Sequence, residues 1–252
     1  MLSSIFNNFF YYPLFNALIF LYNYIPGNDL GIVIIVLTIL IRFALFPLFY
    51  KSAKDQAIMQ RLAPKIKEIQ KDFKEDRVKQ GQAMMDLYRE HKINPLSQFL
   101  IILVQLPVLI ALYRVFLVGI KEIPEGIFYS FVSIPDNLSH SFFGIVDLSK
   151  SNLGVVLFAA LAQYFQGKLS LAKSTENKKG KELTPAEIMG KQMVFIGPVL
   201  TIAFLGYLPS AVGLYWLTTS IFSVIQQILL NKQLKVSDEK LIDIDKKLHG
   251  KI

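Results

Sequence analysis

The sequence predicts an all-α integral membrane protein with five transmembrane helices. Hydrophobic residues make up 53% of the 252 residues and charged residues only 18%, whereas soluble domains carry about 25% charged residues. The apolar residues also form stretches that approach the thickness of a bilayer core, and short Lys-rich segments separate them. This clustering excludes a soluble enzyme with a large core.

The five predicted spans are residues 30–50, 96–118, 153–171, 192–208 and 212–230. At about 1.5 Å per residue they fit a hydrocarbon layer of roughly 30 Å, the shorter ones with local thinning or burial among neighbours. Asn94-Pro95 precedes the second span as an N-cap followed by a proline, and Pro209-Ser210 forms a turn between the last two.

The basic residues predict the orientation. Residues 51–95 hold 11 Lys and Arg, residues 168–191 hold six and residues 231–252 hold six, whereas the loop 119–152 holds two. The positive-inside rule therefore places the N-terminus outside, the loop 172–191 inside and the tail 231–252 in the cytoplasm. This arrangement requires an odd number of spans, which favours five over six.

Residues 1–29 could be mistaken for a sixth span. However, Asn8, Tyr12, Asn16 and Asn23 recur at helical spacing as a polar stripe, and aromatic residues crowd the other positions. This pattern favours an external helix that lies in the membrane interface over one that crosses the membrane.

Residues 51–95 predict a cytoplasmic helical hairpin. Apolar residues recur at helical spacing before and after the charged turn Lys74-Glu75-Asp76. The first stripe is Ile58, Leu62, Ile66, Ile69 and Phe73, and the second is Val78, Met84, Leu87, Tyr88 and His91. We expect the two stripes to pack together, and a docking role for the charged faces would be additional.

Arg42 is the most informative residue of the spans. It lies eight residues before Tyr50, about 12 Å from the inner end of a straight helix, where an arginine costs about 2.5–3.5 kcal/mol to insert. No Asp or Glu occurs in the five spans, so the sequence predicts a hydrated cavity open to the cytoplasm. The alternative is that Arg42 snorkels, as we expect for Arg114 near the outer end of its span.

Other polar residues could line the same cavity. Thr38 lies one turn from Arg42, and Gln105, Gln163 and Ser220 lie within other spans. Taken singly, each is better explained as a hydrogen bond between helices, but together with Arg42 they predict a polar groove. Tyr215-Trp216 could be an interfacial aromatic anchor.

The residues of enzyme active sites are missing. The chain has no cysteine, its three histidines lie outside the predicted spans, and it has neither metal-ligand spacing nor a phosphate-binding glycine loop. We therefore predict no enzymatic activity, no cofactor and no metal. The first residues also lack the basic region of a cleavable signal peptide.

Several short motifs resemble one family. They are Thr38-Ile39-Leu40-Ile41-Arg42, Phe46-Pro47-Leu48, Leu62-Ala63-Pro64-Lys65-Ile66, Met84-Met85-Asp86-Leu87-Tyr88, Lys92-Ile93-Asn94-Pro95-Leu96, Gln105-Leu106-Pro107-Val108, Ala111-Leu112-Tyr113, Pro209-Ser210, Leu214-Tyr215-Trp216 and Gln226-Gln227. In this order and spacing, over about residues 10–231, the chain resembles the YidC/Oxa/Alb membrane protein insertases, specifically a short bacterial YidC.

The resemblance implies a function. It implies five helices around a groove open to the cytoplasm, in which Arg42 and Thr38 draw in the polar end of a nascent membrane protein before its apolar segment leaves sideways into lipid. Tyr215 and Trp216 match an aromatic pair that faces the first span, which weakens the anchor interpretation, and residues 9–25 match an external interfacial helix. Arg114 stands where the family usually has an uncharged aromatic residue.

The resemblance also implies partners and a location. The substrates would be nascent membrane proteins, the protein would contact membrane lipids and act as a monomer, and candidate partners are the ribosome, the signal recognition particle receptor and the Sec translocon. The location would be the bacterial inner membrane. From the resemblance to a short member, we expect neither the additional N-terminal span nor the large periplasmic domain of longer members.

Two other functions are compatible with a buried arginine. A small anion transporter would bind its solute at Arg42, but it predicts internal repeats and broken helices that are not evident. A purely structural assembly factor would tolerate the loss of Arg42.

Overall fold

A computed structural model describes residues 2–116, 126–135, 138–171 and 185–249, and this part of the chain is mostly helical. The helices are α1 Leu2–Phe6, α2 Tyr12–Tyr24, α3 Leu30–Ala44, α4 Phe46–Arg61, α5 Ala63–Asp72, α6 Arg77–Glu90, α7 Ser97–Arg114, α8 Leu153–Ser170, α9 Pro185–Leu205 and α10 Ser210–His249. A π-helical segment, Asn7–Tyr11, joins α1 to α2, and the strands β1 Ser141–Phe142 and β2 Val146–Asp147 pair antiparallel. The predicted end of the second span at 117–118 and most of the loop 172–191 lie outside the described residues.

The first predicted span is bent rather than straight. It consists of α3 and the first residues of α4, and the two helices meet at an angle of 67°. Pro47 lies in the first turn of α4, and because proline has no N–H and its ring clashes with the preceding turn, the helix cannot run straight through it. Arg42 consequently lies in the last turn of α3, so the roughly 12 Å of a straight helix between Arg42 and Tyr50 does not apply, and the depth of Arg42 in a membrane stays a prediction.

The other helices differ from the predicted bounds at their ends. Asn94 does not cap the second span: α7 begins at Ser97, and the Asn94 side chain accepts a hydrogen bond from the Leu96 N–H in a tight turn. Helix α9 begins seven positions before residue 192. The last helix does not end at residue 230 but continues to His249, so most of the predicted tail is helical.

Length and composition support fewer spans than the five predicted. Among the described residues, only Ser210–Lys235 is a single helix long and apolar enough to cross a bilayer, and the bent pair α3 and α4 could form one more. The apolar helices Phe99–Arg114 and Lys191–Leu205 are shorter, and Gln163, Gln166 and Lys168 lower the hydropathy of α8. The five-span topology stays a prediction.

The largest hydrophobic cluster contains residues of α2, the helix for which the sequence predicted a polar stripe and an interfacial location. Phe15, Leu18, Ile19 and Tyr22 are at most 1% exposed, and they belong to one cluster with buried residues of α3, α7, α8 and α10. Asn16, a member of the predicted stripe, is only 2% exposed. The location of this helix in the membrane interface stays a prediction. The polar stripe no longer supports that prediction, because its member Asn16 is buried.

Polar side chains of α2 bind the loop after α7. The Asn16 amide donates to the Ile127 carbonyl and accepts from the Tyr129 N–H, both at 2.8 Å. Asn23 donates to the Ser133 carbonyl at 2.6 Å. These bonds satisfy loop backbone groups that would otherwise need water, so the asparagines have a structural role that the sequence pattern did not reveal.

Arg114, which the sequence predicted to snorkel to the membrane interface, contacts the N-terminal segment. Its Nη1 donates to Asn7 Oδ1 at 2.9 Å, and its guanidinium lies 4.5 Å from the centre of the Tyr11 ring and 5.8 Å from that of Phe6. The side chain therefore holds the N-terminal π-helical segment against the end of α7.

Replacing Arg114 with glutamine is expected to loosen residues 6–11. The substitution removes the cation–π contact, for which an exposed site gains about 0.5–1 kcal/mol, so amide exchange in this segment should rise about twofold to fivefold. Hydrogen–deuterium exchange measured by mass spectrometry checks the result. Lys150→Gln is the control, because it removes one positive charge that pairs with Asp147 and not with residues 6–11. Unchanged exchange in the Arg114 variant would contradict the clamp.

The segment predicted as a helical hairpin, residues 51–95, forms its own cluster. Leu62, Leu87, Tyr88 and Ile93 are buried between α5, α6 and the end of α4, and Ile58, Ile66, Ile69 and Met84 pack on them. Val78 differs from its predicted place in the stripe because it is 70% exposed. Burial raises the pKa of the Tyr88 phenol above its usual value.

Candidate functional site

Arg42 is the centre of the candidate site because it is a cation that is only 4% exposed. Its Nη2 donates to the Thr219 carbonyl at 3.3 Å and to the Ser223 hydroxyl. Both acceptors are on α10, 177 and 181 residues away in the chain. The guanidinium therefore joins the end of α3 to the middle of α10.

Aromatic rings enclose the same guanidinium. Its central carbon lies 4.1 Å from the centre of the Phe49 ring and 5.3 Å from that of Phe222. The Phe43 and Phe222 rings are perpendicular, with their centres 5.3 Å apart. The electron-rich ring faces attract the cation without neutralising its charge.

No carboxylate of the described residues forms an ion pair with Arg42, and its buried Nε has no hydrogen-bond partner there. A buried charge normally has a counter-charge because an uncompensated one costs several kcal/mol. Arg42 has only neutral acceptors and ring faces. The site is therefore a buried cation held by neutral groups among the described residues.

The side of α10 that faces Arg42 is polar. Tyr215, Thr219 and Ser223 recur every four residues, so they lie on one face of the helix. Tyr215 is 3% exposed and its hydroxyl accepts a hydrogen bond from Gln105 Nε2 on α7. Gln226 continues this face and has a buried Oε1 without a partner among the described residues.

The structure brings some of the predicted site residues together. Arg42, Tyr215 and Gln105 belong to one region in which α3, α7 and α10 contribute polar groups. Thr38 lies one turn before Arg42 and is 2% exposed, but its hydroxyl donates to the Ile34 carbonyl of its own helix at 2.6 Å. The bond that its hydroxyl donates is therefore within α3 and not to the Arg42 side chain.

The other predicted residues lie elsewhere. Gln163 of α8 accepts a hydrogen bond from the Thr201 hydroxyl of α9, so it joins those two helices. Trp216 packs against the large hydrophobic cluster. Ser220 is 3% exposed and lies next to Thr219, about 100° around the helix from it.

The sequence analysis missed the residues that contact Arg42. Thr219 and Ser223 could have been found from their spacing of four after Tyr215. The contacts of Phe49 and Phe222 with Arg42 could not be predicted from the sequence. A phenylalanine in an apolar segment gives the same sequence pattern whether its ring faces a cation, a core or lipid.

The hydrated groove is not visible as an open space at Arg42. The rings of Phe49 and Phe222 cover the guanidinium, which leaves it almost fully enclosed. Among the described residues, no group of three His, Cys, Asp or Glu could hold a metal ion. The groove, and the expected lack of cofactor and metal, stay predictions.

Comparisons with known proteins give one family. A family model described as the 60Kd inner membrane protein matches residues 20–239. The chain is 33% identical over 225 residues to a membrane protein insertase YidC of Pelobacter propionicus, covering 87% of this chain and 38% of that protein. It is 35% identical over 213 residues to one of Francisella tularensis subsp. novicida, covering 83% of this chain and 34% of that protein.

A solved structure has a related fold. It is described as an active YidC insertase crystal structure with the first transmembrane domain resolved, and it superposes with a TM-score of 0.55 at 25% identity. The match covers 85% of this chain and 45% of that one. The chain thus spans less than half the length of the relatives it matches.

Proposed function

The chain belongs to the 60Kd inner membrane protein family, that of the YidC insertases, and from this we propose that it inserts nascent membrane proteins into the bacterial inner membrane. The family membership confirms the resemblance that the sequence motifs indicated. The enclosed, unneutralised Arg42 is the observation that supports this function most directly.

Arg42 would act by exchanging its neutral partners for an anion. A carboxylate in the polar tail of a client protein would replace the Thr219 carbonyl and the Ser223 hydroxyl at Nη2. Two unit charges 4 Å apart attract by about 1 kcal/mol in water but about 4 kcal/mol at an effective dielectric constant of 20. The attraction would offset part of the cost of moving the tail out of water.

The aromatic rings would open for the client. Phe49 is on α4, across the bend from Arg42, so a small change at the bend would separate the ring from the guanidinium. The Tyr215 hydroxyl and Gln105 would then line the exposed groove with Arg42. Thr38 would add a polar group one turn from Arg42, whereas Gln163, Trp216 and Ser220 remain predicted groove residues that no described contact joins to Arg42.

Lateral release would occur along the apolar faces of α7 and α9. Leu103 and Leu106 of α7 are 67% and 48% exposed, and Phe195 and Val199 of α9 are 64% and 63% exposed. Large exposed apolar surfaces mark sites that contact another protein or the membrane, and in a bilayer these side chains would contact lipid. Transfer of the client's apolar segment from water to lipid would release about 25 cal/mol of free energy per Å² of apolar surface. Insertion would therefore need neither nucleotide hydrolysis nor another enzymatic reaction as a source of energy.

The proposal includes a topology and partners. Five spans with the N-terminus outside and the C-terminus in the cytoplasm would place nearly all loop Lys and Arg residues inside. We propose that the protein works as a monomer in contact with lipid. The ribosome, the signal recognition particle receptor and the Sec translocon are candidate partners.

Liposome insertion of a single-span client with a short acidic N-terminal tail tests the function. The expected result is protease protection of the tail that requires the purified protein. Empty liposomes are the first control, and a client lacking the apolar segment is the second. No gain in protection from folded, correctly oriented protein would contradict an insertase and favour a solute transporter or a partner-dependent chaperone.

A further inference from the structure

The small β-hairpin on the outer side has an unusual turn. Strands β1 and β2 are joined by Phe143, Gly144 and Ile145, and the Ile145 N–H donates to the Phe142 carbonyl at 3.0 Å. Phe143 and Gly144 have φ values of 52° and 69°. Two successive residues with positive φ form a type I′ turn, in which Asn-Gly is strongly preferred.

Phenylalanine is a poor residue for the first position of such a turn. Its Cβ is close to the following carbonyl in the left-handed conformation, which asparagine tolerates better. Burial does not compensate, because Phe143 is 65% exposed and Ile145 is 85% exposed. The internal contact of the Phe143 ring is with Phe142, at 4.5 Å between ring centres. The turn thus presents two large apolar side chains at a conformational cost.

The hairpin has a fixed position at the start of α3. Asp29 caps α3 by accepting from the Ile32 N–H at 3.0 Å, and its other oxygen accepts from the Phe143 N–H at 2.5 Å. Phe142 lies directly on Gly31, where an added Cβ would come within 2.2 Å of the ring. Both contacts place the turn beside the end of α3 that begins the first apolar span.

We propose that Phe143 and Ile145 insert into the outer leaflet of the membrane at the boundary between headgroups and acyl chains. The inference rests on the proposed membrane topology, which puts the start of α3 at that boundary. Aromatic and aliphatic side chains without charge partition favourably there. The far end of the hairpin is polar, because Asp147 pairs with Lys150 at 2.9 Å, so the hairpin has one apolar tip and one water-facing base.

Single-cysteine labelling tests the insertion, since the chain has no cysteine of its own. We would attach an environment-sensitive nitrobenzoxadiazole fluorophore to Ile145→Cys and reconstitute the protein in phosphatidylcholine–phosphatidylglycerol vesicles. Acyl-chain nitroxide lipids should quench this probe at least about twofold more than one at Ser149→Cys, an exposed residue near the hairpin base. Equal, weak quenching at both positions would overturn the proposal.

Two further variants make the test specific. A probe at Leu103→Cys, on the exposed apolar face of α7, reports whether α7 contacts the acyl chains. If this probe is quenched and the position-145 probe is not, the hairpin tip stays outside the membrane; if neither is quenched, the proposed topology is wrong. Phe143→Asn suits the turn and removes the ring, so it should reduce quenching at position 145 while the protein stays folded. A position-145 probe that is shielded from water but not quenched by lipid would indicate a protein contact and overturn the proposal.

Discussion

Arg42→Glu is expected to reduce insertion of a client with an acidic tail by at least about tenfold. The attraction of about 4 kcal/mol at an effective dielectric constant of 20 becomes a repulsion of similar size, and 1.4 kcal/mol already gives a factor of ten. The readout is the fraction of client tail protected from protease in liposomes. The same variant should recover part of the insertion when the client tail is basic.

Two variants at the same position separate charge from structure. Arg42→Lys keeps the charge but loses the planar group that stacks on Phe49 and bonds two acceptors. Its insertion of the acidic-tailed client should therefore lie between that of the wild type and that of Arg42→Glu. Arg42→Gln removes the charge and should treat acidic and basic tails alike. Thermal unfolding in detergent shows whether each variant is folded. Equal insertion of both tails by the wild type and a folded Arg42→Glu protein would remove the electrostatic mechanism.

Phe15→Ala is expected to lower the free energy of unfolding by about 3 kcal/mol. Phe15 is 0% exposed, and its ring contacts those of Tyr11 and Phe128 at 6.0 Å and 5.7 Å between centres. Removing a buried aromatic side chain loses its transfer free energy and leaves a cavity. Fluorescence of Trp216, the only tryptophan, reports the transition because it packs against the same cluster.

Phe9→Ala is the matched control. Phe9 belongs to the same N-terminal segment but is 74% exposed, so its removal should change the free energy of unfolding by less than about 0.5 kcal/mol. If the two variants were equally stable, the N-terminal helix would be a peripheral attachment and not part of the core.

The helices could be predicted because their signals are local. Apolar stretches and stripes at helical spacing depend on neighbouring residues, so they indicated helices in each predicted span and in the hairpin segment 51–95. The bounds were less certain. A helix can continue with polar residues, as α10 does beyond residue 230, and proline can divide one apolar stretch into two helices, as it does between Ala44 and Phe46.

The site was only partly predictable. Arg42 was identified because a cation within an apolar segment is costly wherever its partners lie. Its acceptors were missed because they are 177 and 181 residues away, and hydrogen bonds over such distances leave no pattern in a single sequence. Asn16 shows the opposite error, since its spacing indicated a polar surface whereas its amide is buried and binds the loop after α7.

The sequence by itself determined the class of the protein, its family and the residue at the centre of the site. These follow from composition, from short motifs in order and from the cost of burying one charge. The tertiary structure decided what surrounds that charge, where the first span bends and which face of the N-terminal helix is buried. Those features depend on which distant side chains meet, and packing settles this only when the whole chain folds.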